Sequence, residues 1–174
     1  MNHNKSNGES TLVDIANLES PAAIIMIGTP GSGKSYVARE LGKMLNIGIL
    51  STDDIRRELT GDEADQSHND QVGPLLYSRA QEYFAYEQSV IIDATHFTPE
   101  QRQDAAVKCR DLGATAVAGV YVDTSLSTSL SRNRLRRRHV PEEVLQHMFT
   151  ILDVTPPSLD DGFDTLVHIR NQGR

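Results

Sequence analysis

Tryptophan is absent from the 174 residues, cysteine occurs once, and aromatic side chains make up only 5% of the chain. A lone thiol excludes an internal disulfide framework, and Cys109, set in a helical pattern with Ala105, Ala106 and Leu112, reads as a buried structural thiol suited to a reducing cytoplasm. No apolar run approaches the ~18 residues that span a bilayer, and residues 1–8 lack the apolar core of a signal peptide, which predicts a protein with no membrane partner. Positive charge is also scarce. Lys+Arg 17 against Asp+Glu 24 leaves a net charge of −7, which argues against broad attachment to nucleic acid through a basic face but leaves room for a local basic site. At this length, and with 38% hydrophobic residues, one core is expected: a single domain over residues 21–174 behind a flexible tail at 1–20, rich in Asn, Ser and Gly near its start.

What the chain does have is a complete phosphate-binding loop. Gly28, Thr29, Pro30, Gly31, Ser32, Gly33, Lys34 and Ser35 follow the apolar run 22–27 and open a helical pattern. Glycines let backbone N–H groups turn toward a β-phosphate, and the helix behind them directs its positive end at the same oxygens. Lys34 adds a cation for the β- and γ-phosphates, and the Ser35 hydroxyl is a hard-oxygen ligand for Mg²⁺. ATP and Mg²⁺ are therefore the expected cofactors, with ATP contacts from Thr29 through Tyr36.

Five short apolar runs, at 22–27, 47–50, 90–93, 115–122 and 165–169, alternate with helical patterns at 34–45, 52–59, 74–87, 99–112, 125–138 and 141–152. This predicts an α/β fold: a five-stranded parallel sheet flanked by helices, of the P-loop NTPase type, with a helical lid at about 125–152. Ligands of such sheets gather at the carboxyl ends of the strands, where the loops after each run converge. The polar stretch 60–73 reads as a long mobile connection.

Three of those loops carry chemistry. Ser51 or Thr52 can cap the helix after the second run, which puts Asp53 in its first turn, turned toward Arg56 and Arg57, while Ile55 and Leu59 point to the core. A carboxylate so placed can orient an acceptor hydroxyl and take its proton late, beside a cation for the acceptor's anion. Asp93 ends the third run, where a carboxylate can hold Mg²⁺ with Ser35. His96 follows and is a candidate acceptor contact with Thr52. Arg132, Arg134, Arg136, Arg137 and Arg138 form the one dense basic cluster. Arg132 and Arg136, spaced i,i+4, would share a helix face over the transferring phosphoryl group, and Arg134 with Arg138 would share another.

Together, GTPGSGKS at 28–35, STDDIR at 51–56, VIIDATH at 90–96 and the segment from Arg132-Asn133 to Val140-Pro141 resemble the kinase domain of phage polynucleotide 5′-kinase and its P-loop kinase relatives. The resemblance runs from about residue 24 to 148. It implies Asp53 as general base, Arg56 as the contact to the acceptor phosphate, Lys34 and Ser35 as ligands of the ATP phosphates and Mg²⁺, and Arg136 and Arg132 as lid arginines. The chain departs from those relatives at His96, where Asn is common, and at Thr52, where the phage enzyme has a basic residue. The expected activity is phosphoryl transfer from ATP to a hydroxyl, foremost the 5′-hydroxyl of an RNA or DNA end. The alternatives are a small-molecule kinase for a sugar, antibiotic or nucleotide-sugar acceptor, or an ATPase switch. No protein partner is demanded.

Overall fold

A computed structural model describes residues 10–136 and 138–171. Five parallel strands, β1 (Ala22–Ile27), β2 (Gly48–Ser51), β3 (Val90–Asp93), β4 (Ala116–Asp123) and β5 (Thr165–Arg170), lie in the order β2-β3-β1-β4-β5. β1 sits in the middle, with Ile25 opposite Ile92 on one side and Gly119 on the other. All six of its residues are buried, as a central strand covered on both faces requires.

Side chains alternate across the pleat, so the sheet serves two cores. Ala23, Ile25 and Ile27 pack with Ile55, Leu76, Phe84, Ala105, Cys109 and Leu152. Those residues come from helices α3 (Thr52–Thr60), α4 (Asn69–Ala85), α5 (Pro99–Asp111) and α7 (Glu142–Val154). Ile24 and Met26 face Ala38 and Leu41 of α2 (Lys34–Leu45) and Ile15 of α1 (Leu12–Ala16). Burial pushes the Cys109 thiol up to about 12, so it packs rather than reacts.

Three sequence expectations change. Residues 10–20, expected to be part of the flexible tail, dock on the domain: Ile15 is 3% exposed and Ser10 bridges Val167 of β5. Residues 1–9 of that tail lie outside the described residues. α4 begins at Asn69 rather than Pro74, which shortens the connection expected at 60–73. Burial of Val72 in register with Leu76, Ala80 and Phe84 offsets the hydrogen bond that a proline inside a helix forfeits. Finally, the helix expected over 125–138 is α6 (Leu126–Arg134). Asn133, 2% exposed, stops it: its Nδ2 donates to the Val140 carbonyl at 2.7 Å, and the Val140 N–H donates to its Oδ1 at 3.1 Å. These two bonds tie Val140 back to the end of α6, so Arg136 and Arg138 lie outside the helix. Among the described residues no helix is long and apolar enough to cross a membrane.

Candidate active site

β1 ends beneath the point where the chain turns to opposite sides of the sheet, with β3 on one side and β4 on the other. The phosphate loop fills this crevice. Gly31 and Gly33 have φ of +85° and +96°, and a Cβ there would come within 2.6 Å of the Ser129 carbonyl oxygen and 2.5 Å of Asn171 Nδ2. Neighbouring elements brace the loop. Arg132 donates to the Gly31 carbonyl at 3.3 Å, Asn171 to the Ser32 carbonyl at 2.8 Å, and the Thr29 hydroxyl meets that of Ser129 at 3.1 Å.

A cleft of about 510 Å³ opens between this loop and α7. Pro30, Lys34, Ser35 and Asp93 line it together with Asp53, Arg56, Arg136 and Arg138 and the apolar Val140, Pro141, Val144 and Met148. Lys34 is half-buried. Desolvation pushes its amine below the ordinary value, the Asp93 carboxylate opposes that, and the Arg136 cation reinforces it. Incoming phosphate charge would relieve the strain on this ammonium. Asp93 is 6% exposed, and among the described residues neither its Oδ1 nor the buried Ser32 hydroxyl has a hydrogen-bond partner. Two orphaned buried oxygens beside Lys34 and Ser35 fit a nucleotide phosphate and Mg²⁺. Among the described residues no group of three or more His, Cys, Asp or Glu gathers to hold a metal. Ser35 and Asp93 would thus hold Mg²⁺ together with water and phosphate oxygens, as this ion prefers.

Asp53 is the hub. Ser51 caps α3 by accepting the Asp54 N–H at 3.4 Å, which sets Asp53 in the first turn at the carboxyl edge of β2. Its Oδ1 accepts from Arg56 at 2.7 Å and from Arg138 at 2.6 Å, and its Oδ2 accepts from Arg136 at 3.3 Å. Arg57 pairs instead with Asp54 and Glu63. Arg56 is itself fixed, its Nε donating to Asn69 Oδ1 at 3.1 Å and its Nη1 to the Thr52 carbonyl at 3.4 Å.

The structure therefore brings Lys34, Ser35, Thr52, Asp53, Arg56, Asp93 and Arg136 to one cleft. It separates others. Arg132 does not join Arg136 on a helix face but supports the outer side of the phosphate loop, because α6 ends first. Tyr36, expected at ATP, is 62% exposed on α2 and outside the cleft lining. His96, expected at the acceptor, lies beneath the cleft at 9% exposure. Its Nδ1 is 2.9 Å from the Met26 carbonyl, which only accepts, so Nδ1 carries the proton. With the Gly28 N–H donating to the Thr95 carbonyl at 3.0 Å, it staples the loop after β3 to the phosphate loop.

Asn69 and the apolar wall escaped the sequence reading, which placed Arg138 in the basic cluster but paired it with Arg134 on a helix face rather than with Asp53. The wall's signal was present in the spacing of Val140, Val144 and Met148, whereas Arg138 depended on where α6 stops.

Burial pushes the His96 imidazole below its ordinary 6.5, the Met26 carbonyl opposes this, and Lys34 and Arg102 add to the depression while Asp93 resists it. A base whose folded pKa is depressed keeps full stability above its unfolded pKa and loses it as pH falls below about 6.5, where only the unfolded chain takes up the proton. His96→Asn is accordingly expected to flatten the fall in melting temperature between about pH 7 and pH 5. Thermal melts across that window check this, and parallel curves for both proteins would show that His96 contributes nothing.

A family model described as AAA domain matches residues 24–153. Among curated proteins, an uncharacterised protein of Mycobacterium tuberculosis is 32% identical over 88 residues, covering 43% of this chain and 18% of its own length. The chain thus spans less than a fifth of that relative. Among solved structures, a chain in the Pnkp1/Rnl/Hen1 RNA repair complex is similar with TM-score 0.71 and 20% identity, over 85% of this chain and 48% of that one. A gluconokinase from Sinorhizobium meliloti is similar with TM-score 0.56 and 20% identity, over 88% and 85% of the two chains. At such identities the likeness carries the fold, that of P-loop kinases.

Proposed function

Because the chain belongs to this AAA domain family and has the fold of P-loop kinases, we propose that it transfers the γ-phosphoryl group of ATP to the 5′-hydroxyl of an RNA or DNA end. The observation that carries the reading is Asp53, a carboxylate sharing the cleft with Lys34 and ringed by Arg56, Arg136 and Arg138. The likeness to a chain of an RNA repair complex, the arginines of the cleft and the apolar wall from Val140 to Met148 favour an acceptor with both a phosphate and a flat apolar group, which a polynucleotide end offers.

Phosphoryl transfer has a loose transition state, so positioning and charge carry the catalysis. Lys34 binds the β- and γ-phosphates and shields the departing ADP oxygen. Ser35 and Asp93 would hold Mg²⁺, which when bound supplies charge neutralisation at the same oxygens. Asp53 accepts a hydrogen bond from the acceptor hydroxyl, aligns its oxygen with the γ-phosphorus, and receives its proton as the new P–O bond forms and the bond to ADP breaks. Arg136 meets the Oδ2 oxygen of Asp53 at 3.3 Å and balances charge on the passing phosphoryl group. The apolar wall holds the acceptor and keeps water from the γ-phosphate.

A small-molecule acceptor is the second reading, supported by a cleft of about 510 Å³, the size of an ordinary metabolite site. Incubation with γ-labelled ATP, Mg²⁺ and a panel of 5′-hydroxyl RNA, 5′-hydroxyl DNA, gluconate, nucleosides and aminoglycosides separates the two. Label on the oligonucleotides, absent when their 5′-ends already carry phosphate, is the expected result. Label confined to a sugar or antibiotic keeps the chemistry and replaces the substrate.

A further inference from the structure

The phosphate loop is built on glycines, and a glycine does not by itself fix the direction of the peptide plane beside it. Gly31 and Gly33 sit at φ of +85° and +96°, a region that glycine enters and leaves at little steric cost. The peptide between Ser32 and Gly33 is therefore free to turn over unless something holds it, and its direction decides binding. In a trans peptide the C=O and the N–H point opposite ways. The Gly33 N–H thus faces a phosphate in the crevice only while the Ser32 carbonyl is held away from it.

Asn171, the residue after β5, holds that carbonyl. Its Nδ2 donates to the Ser32 oxygen at 2.8 Å, and because a carbonyl only accepts, the amide can face it in one way only. The asparagine is anchored in turn. Its N–H donates to the Asp123 carbonyl at 2.7 Å, and its own carbonyl accepts the hydroxyl of Thr124, 6% exposed, at 2.5 Å. Both partners belong to the end of β4, so the side chain reaches the phosphate loop from a fixed base on the sheet. The neighbouring peptide is different. Arg132 holds the Gly31 carbonyl, but the N–H of that peptide, on Ser32, already donates to the Thr29 carbonyl at 3.1 Å. Among the described residues the Gly33 N–H has no partner, and neither has the buried Ser32 hydroxyl next to it. An open backbone donor at the start of α2, beside Lys34, suits a phosphate oxygen.

We propose that Asn171 is a positioning residue for the nucleotide, a strut that keeps the Gly33 N–H turned toward the phosphates without touching the ligand itself. Asn171 lies outside the lining of the cleft and acts through the Ser32–Gly33 peptide alone. The strut rests on the nucleotide reading of the phosphate loop and is independent of which hydroxyl accepts the phosphoryl group.

ADP and inorganic tripolyphosphate, each with Mg²⁺, are the probes, because only ADP carries a base and a ribose. By calorimetry, Asn171→Ala is expected to weaken both by the same factor, about 10-fold, as the loss of aim in one charge-assisted hydrogen bond entails. In transfer from γ-labelled ATP, KM for ATP is expected to rise by that factor while acceptor KM stays unchanged. Asn171→Asp, which keeps the shape and exchanges the donor for an acceptor, is expected to lose at least as much. Weaker binding of ADP alone overturns the strut and makes Asn171 a contact to the base or ribose. Unchanged binding of both probes by Asn171→Asp overturns it as well, and so does an acceptor KM that rises in step with that for ATP, the mark of a general loosening of the fold. A wild type that binds both probes, and variants that lose both, without label on any hydroxyl, leave the strut in place and remove the kinase reading instead. A wild type that binds neither probe removes the nucleotide reading and the strut together.

Discussion

Asp53→Asn is expected to lower kcat for phosphoryl transfer by about 10²- to 10⁴-fold, the range that a positioned general base contributes. The amide keeps the shape of the carboxylate and its carbonyl oxygen still accepts from an arginine, but it no longer takes a proton. Asp53 also supplies the negative charge among Arg56, Arg136 and Arg138. Without that charge the three guanidinium groups compete harder for acceptor phosphate, so acceptor KM is expected to fall or hold. ATP affinity is expected to stay within about threefold, since Lys34 and the phosphate loop are untouched. Steady-state kinetics in both substrates checks all three statements. A variant with near-normal kcat would return Asp53 to a structural role as partner of the arginines, and a raised ATP Kd would place it on the donor side.

Arg102→Ala is expected to cost about 3–5 kcal/mol of unfolding free energy, a large share of the about 5–15 kcal/mol that holds a domain folded. Arg102 is 1% exposed. Its Nε donates to Asp161 at 2.7 Å, and its two terminal nitrogens donate to the Phe97 and Thr155 carbonyls, each at 3.0 Å. One guanidinium thus joins α5, the loop after β3 and the end of α7, two of which border the cleft. Removing it strands the Asp161 carboxylate, 4% exposed, and two carbonyls. Replacing both partners together, Arg102→Met with Asp161→Leu, is expected to recover much of the loss because no buried charge remains. Urea unfolding of the single and double variants checks this. A single variant that loses less than about 1 kcal/mol would mean that water reaches the pair.

The parts legible in the sequence are those whose chemistry is local. A phosphate loop needs its glycines, lysine and serine in fixed order, and β1 (Ala22–Ile27) announces itself as an unbroken apolar run because both its faces are covered. Asp53 was legible because its place in the first turn follows from the Ser51 cap. The lid was not. An i,i+4 argument for Arg132 and Arg136 holds only while the helix continues, and Asn133 ends it through bonds to Val140, seven residues on. His96 misled for a similar reason: its partner is the Met26 carbonyl, on another strand. Arg102, one arginine in the polar pattern of α5, gave no sign of its burial, since Asp161 is 59 residues away in sequence.

On the proposed function, the cleft moves a phosphoryl group onto a hydroxyl held at Asp53. The most direct test measures ADP formation from ATP and Mg²⁺ with and without a 5′-hydroxyl oligonucleotide, alongside the 5′-phosphorylated product. Slow turnover alone, a large rise on adding the oligonucleotide, and one phosphorylated end for each ADP formed are expected, all lost in Asp53→Asn. ADP formation indifferent to every hydroxyl acceptor offered, and unchanged in Asp53→Asn, would contradict it and make the protein an ATPase.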